Sequence, residues 1–311
     1  MTARRQTWIF VAALIAMLAT SVALQIVRDR AFAYAAVDRE VLYVSNSEVM
    51  RRAALSYSSL LADVYWIRAL QHYGGERQKP RGLRSFELLY PLLDLTTTLD
   101  SRFNIAYRFG AIFLAEPQPG GAGRPDQAIA LLKKGIAFNP GKWDYYHDVG
   151  FIYYWNLHDY QNAADWFNRG GSQPGAPFWL KTYAAVMLTR GGDRETSRAM
   201  WTQIGREEES EWLRRMSRIR LAQLDALDQI DMLTRMVTAF TKRTGQRATS
   251  WEQLTAAGVV RGLPLDPSGT PYRIDPDTGA IGVAEDSELW PLPTEPAAAP
   301  ELKLAAPPVP Q

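Results

Sequence analysis

Few groups in this chain could carry acid–base or metal chemistry. The three histidines, His72, His147 and His158, have no metal-ligand spacing, and no HExxH run occurs. Packing or surface positions are the expectation for all three. Cysteine is absent. That removes disulfides, thiolate metal sites, iron–sulfur clusters and cysteine nucleophiles together. No GxSxG elbow, Walker loop or GxGxxG is present, so serine-hydrolase, nucleotide and dinucleotide chemistry have no support. Asp63 lies inside the apolar stretch Leu60–Trp66, with Arg68 five residues on. Its expected role is that of a hydrogen-bonded or groove-facing helix carboxylate. Asp266, Asp275 and Asp277 fall in Pro/Gly-rich turns, where their oxygens suit Ca²⁺ but equally suit ordinary Asp turns. Sequence separation does not reveal paired carboxylates, so glycosidase chemistry is left untested. The expectation is no catalysis, no metal and no cofactor.

The richer chemistry is apolar recognition. The chain holds 10 Trp, 14 Tyr and 11 Phe, and 13 of these fall between Trp143 and Tyr183. Helix packing uses part of such a cluster, with Tyr153, Phe167 and Trp166 as core candidates. Any remainder on one exposed face would suit an apolar peptide or helix, because aromatic anchors dominate binding hot spots. Which rings share a face depends on the elements that carry them.

Composition sets the frame for those elements. The 311 residues are 47% hydrophobic, enough for a sizeable core. The 35 Lys+Arg against 33 Asp+Glu leave a net charge of +2, so the basic excess expected of a nucleic-acid binder is missing. Residues 6–27 carry no charge, with Arg4 and Arg5 before them and Arg28, Asp29 and Arg30 after. A bilayer-spanning helix needs roughly 20 apolar residues, so residues 7–27 are read as a membrane anchor. The short positive N-terminus favours the cytoplasm, which leaves the bulk of the chain extracytoplasmic, in the periplasm of a Gram-negative cell. A cleaved signal peptide is the alternative, with small residues at Ser21-Val22-Ala23.

A repeat occupies the middle of the chain. Phe109-Gly110-Ala111-Ile112-Phe113 aligns with Val149-Gly150-Phe151-Ile152-Tyr153, and Ala128-x3-Leu132-x2-Gly135 aligns with Ala163-x3-Phe167-x2-Gly170. The second pair is offset by 35 residues, and a further step of 34 reaches Ser197, Trp201 and Ile204. Pro140 and Pro174 close two units, also 34 apart. These residues resemble the tetratricopeptide repeat (TPR) family, whose helix–turn–helix unit is 34 residues long. Small residues let paired helices approach, and large ones fill the space between pairs. The first unit departs by about six Pro/Gly-rich residues around Pro117–Pro125, and the third is degenerate, with Ala185 and Ser197 in the small slots. Upstream, 52–74 and 82–99 read as a divergent helix pair. Leu55, Leu60, Leu61, Val64, Ile67 and Leu70 recur at helical spacing, and Gly74-Gly75 is the expected stop.

The TPR resemblance implies protein binding on a concave face lined by the first helix of each unit. Carried onto this chain, the groove positions are Asp144, His147, Phe151, Tyr154 and Trp155 in the second unit. In the first they are Asn104, Tyr107, Ala111, Leu114 and Ala115; in the third, Trp179, Thr182, Val186 and Arg190. The basic carboxylate clamp of some TPR domains is missing, and Arg108 and Arg190 read as isolated, solvated cations.

Beyond the repeats, Leu213–Phe240 reads as a long amphipathic helix, Ser250 as an N-cap, and 272–274 with 280–283 as a hairpin. The run Pro264-x-Asp266-Pro267-x-Gly269-x-Pro271-Tyr272 resembles the segment before the last strands of type II secretion major pseudopilins, although the pilin cleavage motif is missing. Seven prolines in residues 291–311 read as an extended, disordered tail. The expected fold is mainly α: a TPR-like helical array (α-solenoid) with an N-terminal transmembrane helix and a small C-terminal α+β module. Expected boundaries are 1–30 anchor or signal peptide, 31–51 linker, 52–205 array, 206–290 long helix plus pilin-like module, and 291–311 tail. The expected role is a membrane-anchored scaffold or assembly factor for protein partners. Alternatives are an accessory subunit of another membrane complex and an envelope glycan binder or enzyme.

Overall fold

A computed structural model describes residues 13–27, 47–207 and 210–295. Over these the chain is mainly helical, with twelve helices and one two-stranded sheet. Residues 13–27 form helix α1, and every one of them is exposed. Among the described residues no helix is long and apolar enough to cross a membrane. The expected span 7–27 starts in residues outside that set, as do the linker residues 31–46 and the tail residues 296–311. The chain divides into two compact units after Arg124.

The first unit contains α2 (Ser47–Ala53), α3 (Ser58–Gln78), α4 (Leu89–Leu99) and α5 (Asn104–Ala115). Its centre is α4, whose leucines 89, 92, 93, 95 and 99 are all buried. With leucines on most of its circumference and only Tyr90, Pro91, Asp94 and Thr98 half-buried, this helix lies largely inside. Its buried threonines turn their hydroxyls back on the same helix: Thr96 donates to Leu92 O at 2.8 Å and Thr97 to Leu93 O at 2.9 Å. No hydroxyl is left wanting by burial.

The face that α3 buries is not the one its leucines announce. Ala62, Tyr65, Ala69, Tyr73 and Glu76 face the core, while Leu60 (59% exposed), Val64 and Ile67 (51%) point outward. The two alanines let α4 come close, and the tyrosines fill the flanks. Gly74-Gly75 does not end the helix either, since α3 runs on to Gln78. Anchors on both sides carry it through. The Tyr73 ring stacks on Phe113 at 4.2 Å and its hydroxyl bonds Glu116, while Glu76 accepts from Lys79 Nζ and from the Ser85 amide, both at 2.8 Å. Two helical glycines cost about 2 kcal/mol against alanine, which those contacts offset. The Pro/Gly insertion folds back on α5, with the amides of Ala122 and Arg124 donating to Phe113 O and Leu114 O.

In the second unit α6 (Pro125–Phe138), α7 (Trp143–Trp155), α8 (Tyr160–Gly171), α9 (Trp179–Arg190), α10 (Arg194–Glu207) and α11 (Glu211–Thr244) come in succession. Each packs on the next, as stacked helical repeats do. The small repeat positions are closely packed. A Cβ on Gly150 would stand 2.7 Å from the Phe167 ring, and one on Gly170 2.7 Å from Leu180. Ser197, in the degenerate unit, is fully buried and donates to Ala185 O at 2.8 Å, with Thr189 Oγ1 at 2.7 Å.

Helix α11 serves two cores. Its first half packs Leu213 and Leu224 with Ala185, Trp201 and Ile204 at the end of the repeats. Its second half gives Ala226, Leu233, Val237 and Phe240 to the C-terminal module, with Trp251, Leu254, Tyr272, Ile274 and Val283. There α12 (Trp251–Ala256) starts at Ser250, whose hydroxyl accepts from the Gln253 amide. Strands β1 (Arg273–Ile274) and β2 (Ile281–Gly282) pair antiparallel with Ile274 opposite Ile281. The indole of Trp251 donates to Tyr272 O at 2.6 Å and ties the short helix to the hairpin.

Candidate functional site

The expected groove residues of the second and third repeats lie together in the second unit. Helix α7 buries Tyr145, Tyr146, Val149, Gly150 and Ile152, so the positions between them turn outward. Phe151 is 45% and Trp155 61% exposed, and their rings stack at 6.2 Å. Tyr154 meets both, at 6.2 Å from each. Toward the start of the helix the row continues through His147, 6.3 Å from Phe151 and 5.5 Å from Trp179 of α9. Trp179 and Trp143 make an edge contact at 5.8 Å. The result is a row of rings across two helices.

Polar groups edge this row. Arg190 Nη1 donates to the Tyr154 hydroxyl at 2.7 Å, and its guanidinium carbon lies 5.5 Å from that ring's centre. Arg190 is therefore engaged by its neighbour, not an isolated solvated cation. The His147 ring nitrogen Nδ1 and Asp148 Oδ1 are 3.0 Å apart. Asp144, in the first turn of α7, is half-buried.

Tyr107 does not belong to this face. It is fully buried in the first unit, and its hydroxyl donates to Thr97 O at 3.4 Å. Ala111, Leu114 and Ala115 are buried too, while Ile105, Phe109 and Ile112 are exposed instead. In α5 it is therefore the aligned groove positions that are buried, with Tyr107 and Leu114 at 0% exposure. Thr182 of α9 is likewise buried, donating to Trp179 O at 2.7 Å. Its neighbour Tyr183, not among the expected groove residues, is the one on the surface. Tyr183 is 48% exposed, 5.2 Å from Trp179 and 5.8 Å from Phe167. The i, i+4 pair Trp179–Tyr183 was the available signal, since residues at that spacing share a helix face.

The candidate catalytic and metal-binding carboxylates have structural surroundings. Asp63 is exposed on the outer side of α3, the same side as the exposed Leu60 and Ile67, and is not in a buried or groove-lining position. Asp266 is buried and accepts from the amides of Ser268 (2.8 Å) and Thr270 (3.0 Å) and from the hydroxyls of Ser268 and Ser287. Burial pushes its carboxyl up, but those four donors outweigh burial and hold it below the ordinary aspartate range. Asp275 accepts from the amides of Asp277 and Thr278 at 2.8 and 2.9 Å, capping the hairpin turn. Among the described residues no group of three His, Asp or Glu side chains is placed to hold a metal. What the row on α7 and α9 offers is apolar contact with a polar edge.

Comparison with known proteins gives no match to any family model, curated protein or solved structure.

Proposed function

We propose that this chain is a membrane-anchored, extracytoplasmic scaffold of TPR type that holds a protein partner on the aromatic row of α7 and α9. The observation that carries the proposal is the exposure of Phe151, Trp155 and Tyr183 on helices whose other faces are packed. Rigid rings lose little conformational entropy when a partner covers them, so such rows are efficient contact surfaces. The anchor reading draws support from the uncharged run at residues 6–27, of which 13–27 form an exposed helix. An assembly role within an envelope complex, a secretion or pilus-type machine first, draws support from the pseudopilin-like run at 264–272.

Crosslinking and mass spectrometry of the full chain in its native membrane tests the proposal. Partners should crosslink to α7 and α9 and be released by the combined changes Phe151→Ala, Tyr154→Ala and Trp155→Ala. Partners retained by a folded triple variant would overturn it.

A further inference from the structure

We infer that residues 296–311 of this same chain dock on the aromatic row, so that a partner must displace them to bind. The inference rests on the reading of that row as a polypeptide-binding face and adds its resident occupant.

The chain is led toward the row before residue 296. Gln223 Nε2 donates to the carbonyls of Leu289 (2.9 Å) and Pro291 (3.0 Å), which fixes the approach along α11. Arg194 Nε and Nη2 then donate to the two carboxylate oxygens of Glu295 at 2.6 Å each. This two-pronged pair is among the stronger charge-assisted contacts. Arg194 is itself held by Asp228 (2.8 Å) and Asp231 (2.7 Å). Glu295 is thus pinned at the start of α10, four positions beyond Arg190, the residue that edges the row at Tyr154.

Residues 296–311 match the row chemically. They hold Pro296, Pro300, Pro307, Pro308 and Pro310, and their only charged side chains are Glu301 and Lys303. Proline-rich chain favours the polyproline II conformation, and aromatic-lined surfaces recognise it because its prolines arrive with little entropy left to lose. Reach is ample. Sixteen residues at 3.1 Å each span about 50 Å, whereas the step from Arg190 to Arg194 covers at most about 14 Å. A short tether also gives an effective concentration on the order of 1 mM, so even a contact with a Kd of that order occupies the row about half the time.

Hydroxyl-radical footprinting of the full chain in detergent, compared with a chain stopped after Glu295, tests this. The stop leaves the Arg194–Glu295 pair in place. Phe151, Trp155 and Tyr183 should oxidise roughly threefold faster in the shortened chain, against Phe138 and Trp212 as exposed controls. A synthetic 296–311 peptide should restore the slow rate. Equal rates would overturn the inference, and so would protection that disappears on dilution, which would indicate a second copy. If the rates are equal while the triple alanine variant still releases partners, the binding face stands and only its occupant is lost. Partners retained by the triple variant would remove the binding-face reading instead.

Discussion

Arg190 and Tyr154, thirty-six positions apart, meet at 2.7 Å and join the last turns of α9 and α7. The contact positions the row, whereas Phe151 and Trp155 form its outer surface. Removing only the acceptor with Tyr154→Phe should cost about 0.5–1.5 kcal/mol, which shifts the thermal midpoint by roughly 1–6 °C in a unit of this size. Partner retention should barely change. Phe151→Ala with Trp155→Ala should do the reverse: a small midpoint change and at least a tenfold loss of retention. Co-purification and thermal unfolding of both variants separate the two roles, and equal effects on both readouts would contradict it.

Two glycines make opposite predictions. Gly150→Ala puts a Cβ 2.7 Å from the Phe167 ring and 3.2 Å from Ala163 O, an overpacking that costs about 1–3 kcal/mol. Gly74→Ala meets nothing within 4 Å in the C-terminal part of α3, which runs on to Gln78. It should stabilise by about 0.5–1 kcal/mol through helix propensity. Hydrogen exchange should therefore quicken in α7 and α8 for the first variant and slow in α3 for the second.

The contrast between those glycines shows what periodicity could and could not reveal. Gly150, Ala163, Phe167 and Gly170 recur because close helix pairing admits no larger residue, so their spacing reported the packing faithfully. Helix α3 is apolar on two faces, and periodicity does not choose between them. Tyr65, Ala69 and Tyr73 won over Leu60, Val64 and Ile67 because alanines allow a closer approach to α4. At the site, Phe151, Tyr154 and Trp155 share a face that the repeat alignment anticipated. Tyr107 and Thr182 did not follow the alignment: both are buried, Tyr107 with its hydroxyl on Thr97 O and Thr182 with its hydroxyl on Trp179 O. The pairing of Arg190 with Tyr154, and of Arg194 with Glu295 across about a hundred positions, depends on tertiary placement that no local pattern encodes.

Asp266 should make the C-terminal module acid-sensitive. Its carboxyl is held below its ordinary value by the hydroxyls and amides that point at it, so the folded state favours the ionised form. That stabilisation is present above the ordinary aspartate value, about 3.9, and is lost as pH falls through the lower folded value. Near-UV circular dichroism of Trp251 and its neighbours should report loosening of the module on acidification through that window. Asp266→Asn keeps the shape but turns an amide toward a donor. It should destabilise by about 1–3 kcal/mol at pH 7 and flatten the acid dependence. A variant that kept the wild-type acid slope would assign that slope to other carboxylates.

His72 gives the first unit a transition in a different range. It lies in α3 with a buried Nε2 that has no hydrogen-bond partner. Burial lowers its basicity, Glu76 opposes that, Lys79 reinforces it, and the net direction is down. A lowered histidine means the folded state prefers the neutral ring. Its contribution is therefore complete above the ordinary value near 6.5 and falls away as pH drops from there toward the folded value. Protection of the α3 amides, taken as exchange relative to the intrinsic rate, should fall as the pH is lowered through that range, while α8, which contains no histidine, should keep constant protection and show only the intrinsic chemical trend. His72→Leu removes the titrating group and fills its volume with carbon, so α3 exchange in that variant should lose its extra pH dependence. An unchanged profile in the variant would place the sensitivity elsewhere in the first unit.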